Sequence, residues 1–420
     1  MVARSFLKEH APRPVKSMVR EIRQAIAPPL IDDTVLCDYR VEADPSEVPR
    51  LTLVFQYLKK GADWGGTATG IDLFCRLAHA IREIQPIDLR FIVTDANSET
   101  DPAIIVKWAA KAGIAVRPDQ IELVKGRQDT VRVRRKETFF SIIWWNTINF
   151  AKVRAAQAQL FGGMPKPIIY LMQDYDPAFF GFSSAHMLAR DAFCTPEPFW
   201  AIVNSSSLAR YLDLMGHLPK RHFVFEPVIL DALRPFLGEV ATSERHKRVL
   251  VYGRPTVERN CFSALIRGLR RWSRDYPEFR DWEVVSVGAA QRSIDLGDGR
   301  KLSSIGKLPL EDYAAMLLGS SVGVSLMASP HPSYPPLEMA HFGVRTVTNS
   351  YLCKDLADYH PNLISISSIS EEALSAAIAE ACRRSASAPD TSVNQTYVRS
   401  DLYPFLGELA AGLSAAFERE

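Results

Sequence analysis

Glu338 closes the most informative segment of the chain, Ser325-Leu-Met-Ala-Ser-Pro-His-Pro-Ser-Tyr-Pro-Pro-Leu-Glu338. An apolar strand over 322–327 runs into a proline-rich loop. The loop delivers one carboxylate at the start of a short helix that stops at Gly343. A carboxylate repels phosphate, so at a helix start it suits hydrogen bonds from hydroxyls, with sugar or ribose as the natural owners. Arg254 and Arg259 follow a second apolar strand that ends at Gly253, whose missing side chain is expected to allow close ligand approach. Two guanidinium groups over one loop suit a diphosphate, because each pairs oxygens bidentately. The same spacing also fits ordinary surface ion pairs. Lys307, just past a short strand, adds a third cation to the same predicted sheet edge.

Three further groups carry weaker signals. Gly65 and Gly66, after Trp64, precede a helix expected from about Thr69, where free N–H groups and the positive dipole end suit a phosphate. They do not form a G-x-G-x-x-G fingerprint, and no acid stands where a ribose-binding one belongs, which disfavours NAD. Asp174-Tyr-Asp176 follows the apolar run 168–172 and has three open readings. It is a pair for Mg²⁺ or Mn²⁺, a base or acceptor for a substrate hydroxyl, or a loop acid capping a turn. Trp144 and Trp145, with Phe139 and Phe140, read as core or as an aromatic sugar platform. His331 sits in the proline-rich loop, and the other histidines show no metal spacing. Ser205-Ser-Ser207 lacks a nucleophile-elbow context.

These residues need a scaffold, and the hydrophobic pattern supplies one. Apolar runs at 51–57, 89–94, 121–124, 168–172, 199–204 and 222–225 alternate with helical segments. A second set follows at 248–253, 282–287, 302–305, 322–327, 345–348 and 363–366. Strands alternating with helices imply parallel sheets covered on both faces. Two tandem sets imply two Rossmann-like domains facing across a cleft. We divide the chain into an N-terminal extension (1–45), a first domain (46–226), a second (227–398) and a C-terminal helix (399–420), a candidate to cross back to the first domain.

The 420 residues exceed one ordinary domain, and 47% hydrophobic with 23% charged residues is a globular composition. A formal net charge of +2 leaves no electrostatic footprint for nucleic acid. The six cysteines are scattered without a C-x-x-C pair, which argues against metal clusters and disulfide frameworks and fits a reducing compartment. With no apolar run near the roughly 18 residues a span needs, the expectation is a cytoplasmic protein. Arg4, Lys8, Arg13, Lys16, Arg20 and Arg23, with Val19, Ile22 and Ile26 at helical spacing, read as a packed or solvated arm. The alternative is a peripheral contact of residues 1–30 with an anionic membrane or an assembly complex.

Taken together, these motifs resemble the GT-B nucleotide-sugar glycosyltransferases of the family-four type, whose second Rossmann domain carries G-R-x4-K-G and E-x7-E motifs. Gly253-Arg254 matches, Arg259 stands where the Lys usually is, and Glu338 matches the second acid. The first acid falls at Pro330 and is missing, which leaves backbone amides or His331 to take its place. The loop 329–343, with Tyr252-Gly-Arg254-Pro, Gln173-Asp174-Tyr and the Trp64-Gly-Gly66 loop, is similar to the WsaF-like rhamnosyltransferases of bacterial surface polysaccharide assembly. The resemblance implies a dTDP-β-L-rhamnose donor, an oligosaccharide or lipid-linked glycan acceptor held mainly by the first domain, no cofactor and no metal. It implies that Arg254 and Lys307, assisted by Arg259, hold the diphosphate. Gly65, Gly66, Gly253, His331, Tyr334 and Glu338 would line the donor site, with Asp174 beside the reacting groups. It further implies retention of anomeric configuration.

Other functions fit parts of the same pattern. A sugar-nucleotide epimerase or another transferase on this frame would use the same edge. A glycan-binding protein that had lost catalysis would not need the Arg254, Lys307 and Glu338 set.

Overall fold

The computed structural model describes residues 35–56, 58, 65–96, 99–194 and 199–419. The basic arm at 1–30 and Trp64 lie outside them. The first half runs β1 (Arg40–Ala43), β2 (Arg50–Gln56), α1 (Gly65–Arg82), β3 (Asp88–Thr94), α2 (Ala103–Lys111), β4 (Ile121–Leu123), β5 (Thr130–Val133) and β6 (Glu137–Ser141). It continues with α3 (Trp144–Phe161), β7 (Ile168–Met172), α4 (Ser184–Cys194), β8 (Phe199–Asn204), α5 (Ser206–Leu214) and β9 (Arg221–Phe225). The second half runs β10 (His246–Gly253), α6 (Phe262–Asp275), β11 (Glu283–Gly288), β12 (Ile294–Gly297), β13 (Arg300–Gly306), α7 (Leu310–Leu318) and β14 (Ser320–Val324). It ends with α8 (Pro335–His341), β15 (Arg345–Asn349), β16 (Leu363–Ile366), α9 (Glu371–Arg384), α10 (Gln395–Val398) and α11 (Leu406–Phe417).

Two seven-stranded sheets result, in the orders β4-β3-β2-β6-β7-β8-β9 and β12-β13-β11-β10-β14-β15-β16. Every pairing in the first is parallel. In the second, β12 alone runs antiparallel. Strands buried on both faces read as unbroken apolar runs, as in Ile168–Met172, rather than alternating. Each sheet is covered twice. Helices α1, α2 and α11 cover one face of the first sheet, and α3 packs on the other. Helices α6 and α9 cover one face of the second, with α7 and α8 on the other. Helix α6 shows why: Leu265, Ile266, Leu269 and Trp272 are buried while Arg267 and Arg270 face out. Leu409, Leu413 and Phe417 of the terminal helix join the core of the first sheet, and Tyr403 reaches Asp72 at 3.3 Å.

Each apolar run read from sequence contains a strand, although the one at 322–327 ends at Val324, and four strands were absent from that reading: β1, β5, β6 and β12. The most consequential is β6, which sits at the centre of the first sheet. Its charged first residue hides it. Glu137 is fully buried and binds Arg50 at 2.7 Å and Arg90 at 2.7 Å, two arginines that begin or interrupt neighbouring strands. Phe139 and Phe140 are therefore core residues of this strand. Trp144 packs edge-on against Trp145 and Phe180 and is buried, so the aromatic cluster is core and not an open sugar platform.

Candidate active site

The carboxyl ends of β7 and β8 in the first sheet meet those of β10 and β14 in the second. The proline-rich loop lies at this meeting point, held from below by its own domain. Asn349 accepts the Met327 N–H at 2.7 Å and donates to its carbonyl at 3.1 Å, and Lys354 Nζ donates to the same carbonyl at 2.6 Å. Asn260 and the Arg259 carbonyl hold the residues on either side. From above, the first domain grips the loop. Ser207 Oγ donates to the Pro330 carbonyl at 2.8 Å, and Ser329 Oγ donates to Asp174 Oδ1 at 2.5 Å. Burial raises the Tyr334 phenol, and the nearby Asn204 side chain pulls it the other way.

Beyond this grip, α8 carries Glu338 into a ring of tyrosines. The Tyr313 hydroxyl donates to Glu338 Oε2 at 2.9 Å, and Tyr252, Tyr334 and Tyr397 all feel its charge. Burial pushes the carboxyl up to about 7, partly offset by the Tyr313 hydrogen bond. At neutral pH it is thus an acid close to its titration point, able to accept from hydroxyls. Gly343, at φ +78°, lets the helix stop where the sequence predicts.

Arg254 leaves the end of β10 and interacts with the Tyr252 phenol. Lys307 stands exposed just beyond β13. Both occupy the carboxyl edge on which Glu338 also lies. Gly253 is hemmed in by its own domain. A Cβ there would collide with the Ser286 hydroxyl and come within 3.1 Å of Phe262, so packing against β11 and α6 by itself favours glycine. Arg259 turns toward the other domain. Its Nε lies 3.8 Å from Asp174 Oδ2, and its guanidinium stacks 4.4 Å over the Phe179 ring.

Asp174 therefore sits at the seam itself, buried, accepting from Ser329 and from the Tyr175 N–H at 2.9 Å. Burial raises its carboxyl, while Ser329, Arg259, its own turn and Lys354 pull the other way. Asp176, pushed up to about 7 by burial and by Asp174, accepts from the Tyr170 hydroxyl at 3.2 Å. Its partner Tyr170 belongs to the first domain's core. Among the described residues no group of three or more His, Cys, Asp or Glu converges in the way a metal ion requires. Helix α1 begins at Gly65 rather than near Thr69. Gly66 accepts a hydrogen bond from Gln173 at 3.1 Å, and a Cβ on Gly65 would meet open space.

Sequence reasoning missed Ser329, Ser207, Tyr313 and Lys354. The last is the least expected: it is 1% exposed, with its ammonium lowered to about 8 by burial, against the raising pull of Asp174. Lysines in polar loops are normally solvated, and no local pattern separates a buried one.

The comparisons fit this geometry. Residues 50–206 match the family described as WsaF, N-terminal domain, and residues 247–379 match WsaF, C-terminal domain. The chain belongs to the WsaF family. The two matched segments take in the second sheet and every strand of the first except β9, so WsaF-family membership covers both sides of the seam. O-antigen biosynthesis protein RfbC from Myxococcus xanthus is 32% identical over 286 residues, 68% of this chain but 21% of that protein. The chain spans about a fifth of that relative's length. Sucrose-phosphate synthase from Thermosynechococcus elongatus superposes with a TM-score of 0.51 at 13% identity, covering 88% of this chain and all of that one. At that identity the likeness speaks to fold: two Rossmann-like domains in the GT-B arrangement. No helix among the described residues is long and apolar enough to cross a membrane.

Proposed function

We propose that this WsaF-family chain is a glycosyltransferase of bacterial surface polysaccharide assembly, moving L-rhamnose from dTDP-β-L-rhamnose to a growing glycan. The observation that carries the reading is the shared sheet edge. Two cations, Arg254 and Lys307, and one acceptor, Glu338, stand at the carboxyl ends of strands in one domain. Asp174 of the other domain is joined to the same loop. The name of the Myxococcus relative places that protein in O-antigen synthesis, which supports the polysaccharide setting.

In this reading Arg254 and Lys307 hold the diphosphate, with Arg259 near enough to assist. Glu338 accepts from ribose hydroxyls, and Tyr334 borders the donor. Gly65 and Gly66, at the start of α1, line the donor site from the first domain. Transfer through an oxocarbenium-like transition state needs a stabilised leaving group more than a strong nucleophile, and one fixed donor to the leaving oxygens is worth about 3 kcal/mol. Cations in that role make a metal unnecessary. Retention follows if the departing phosphate accepts the acceptor's proton on the face it leaves.

Calorimetric titration of dTDP, UDP, GDP and dTDP-β-L-rhamnose tests the reading, with Arg254→Ala as control. Tight dTDP binding lost in the variant is the expected result. Preference for UDP or GDP would discard rhamnose, and no nucleotide binding would discard the transferase. Activity in EDTA should equal that in its absence, and restoration by Mn²⁺ would count against the metal-free chemistry.

A further inference from the structure

His331 lies in the proline-rich loop where the two domains meet. It is 6% exposed, and its Nδ1 accepts the Ser333 N–H at 3.0 Å. That bond fixes the tautomer: the neutral ring carries its proton on Nε2. The turn that makes the bond is strained, since Ser333 holds φ at +68°, a region disfavoured for serine. Yet Nε2 is buried and has no hydrogen-bond partner among the described residues. An orphaned buried donor costs stability unless something outside the chain satisfies it.

Its place narrows what that something is. The backbone on either side of His331 is held by both domains: the Ser329 hydroxyl accepts the His331 N–H at 3.0 Å and donates to Asp174, while Pro330 accepts from Ser207. A group passing from a donor in one domain to an acceptor in the other must cross this seam. The diphosphate-binding cations, by contrast, stand after β10 and β13.

We infer that His331 reads an oxygen of the transferred sugar through a fixed Nε2–H, as a specificity-determining hydrogen-bond donor and not as a proton carrier. The inference rests on the nucleotide-sugar reading above. The charged groups around the ring agree with it. Burial first, then Lys354 and Arg259, lowers its basicity to about 3, and Asp174 is occupied by Ser329 and Arg259. The ring stays neutral, and its donor stays present, throughout the range in which enzymes work.

Binding of dTDP and of dTDP-β-L-rhamnose to wild type, His331→Phe and His331→Gln separates the possibilities. We expect dTDP affinity to hold within about twofold in both variants. Affinity for the sugar nucleotide should fall about tenfold in His331→Phe, the loss of one hydrogen bond. His331→Gln, which keeps an N–H near Nε2, should recover most of it. The pH profiles of kcat/KM for wild type and His331→Gln should inflect at the same pH. Equal losses for dTDP and the sugar nucleotide would make the contact a phosphate one and overturn the inference. No loss for either, or an acid limb that disappears in His331→Gln, would overturn it as well. A wild type that binds neither nucleotide would overturn the parent reading and this one together.

Discussion

Asp174 of the first domain accepts a hydrogen bond of 2.5 Å from the hydroxyl of Ser329 in the second, across 155 residues of sequence. The same hydroxyl takes the His331 N–H, so a single side chain couples the grip between domains to the position of the His331 ring. Removing it should loosen both. Ser329→Ala leaves the buried Asp174 with one donor fewer, the Tyr175 N–H remaining, which costs about 1–3 kcal/mol. Thermal unfolding should show that loss, and KM for the donor should rise. The double variant Ser329→Ala, Asp174→Asn should lose less than the sum of the two single changes, because the two residues share one interaction. Additive losses would mean that the bond carries no coupling.

Glu338 sets function against stability. Its carboxyl is raised from 4.5 to about 7 in the folded chain. Below pH 4.5 both states are protonated. Between 4.5 and 7 the unfolded chain releases this proton while the folded one keeps it, so stability falls as pH rises through that window. Glu338→Gln removes the penalty. It should be more stable than wild type at pH 7.5, by up to about 3 kcal/mol, and indistinguishable near pH 4. The same change should weaken nucleotide binding. A variant that is less stable at pH 7.5 would show that the carboxylate is better accommodated than burial implies.

Glu137 behaves in the opposite sense. Burial alone would raise its carboxyl, but Arg90 and Arg50 overcome this and hold it below the usual glutamate value of 4.5. Its contribution is therefore present above pH 4.5 and lost as pH falls below that value. Glu137→Ala removes the shared, buried partner of Arg50 and Arg90, which keep Asp44 and Glu122, and should destabilise by about 3 kcal/mol. Denaturant unfolding at pH 7 checks the size, and a smaller difference at acid pH checks the sign.

Gly253 tests packing against ligand approach. In Gly253→Ala the new methyl meets the Ser286 hydroxyl and the Phe262 ring. We expect a loss of about 1–3 kcal/mol, partly relieved by a second change, Ser286→Gly. If Gly253→Ala instead kept full stability and lost only nucleotide affinity, the glycine would serve the ligand after all.

The sequence alone determined the two parallel sheets, the edge on which Arg254, Lys307 and Glu338 stand, and the loop that carries His331. These are local matters. Unbroken apolar runs define buried strands, proline and glycine place the turns, and strands of one direction deliver their following loops to one edge. What only the tertiary structure decided is how distant residues answer one another. Strand β6 was hidden because Glu137 looks like a solvent residue until Arg50 and Arg90 close on it. The role of Gly253 depends on Ser286 in the neighbouring strand, and Lys354 becomes a buried cation only when its loop folds under Met327. The orphaned Nε2 of His331 depends likewise on a backbone N–H two residues on and on the burial of the ring in the folded loop. Desolvation and hydrogen-bond pairing are properties of assembled neighbours, and no spacing along the chain encodes them.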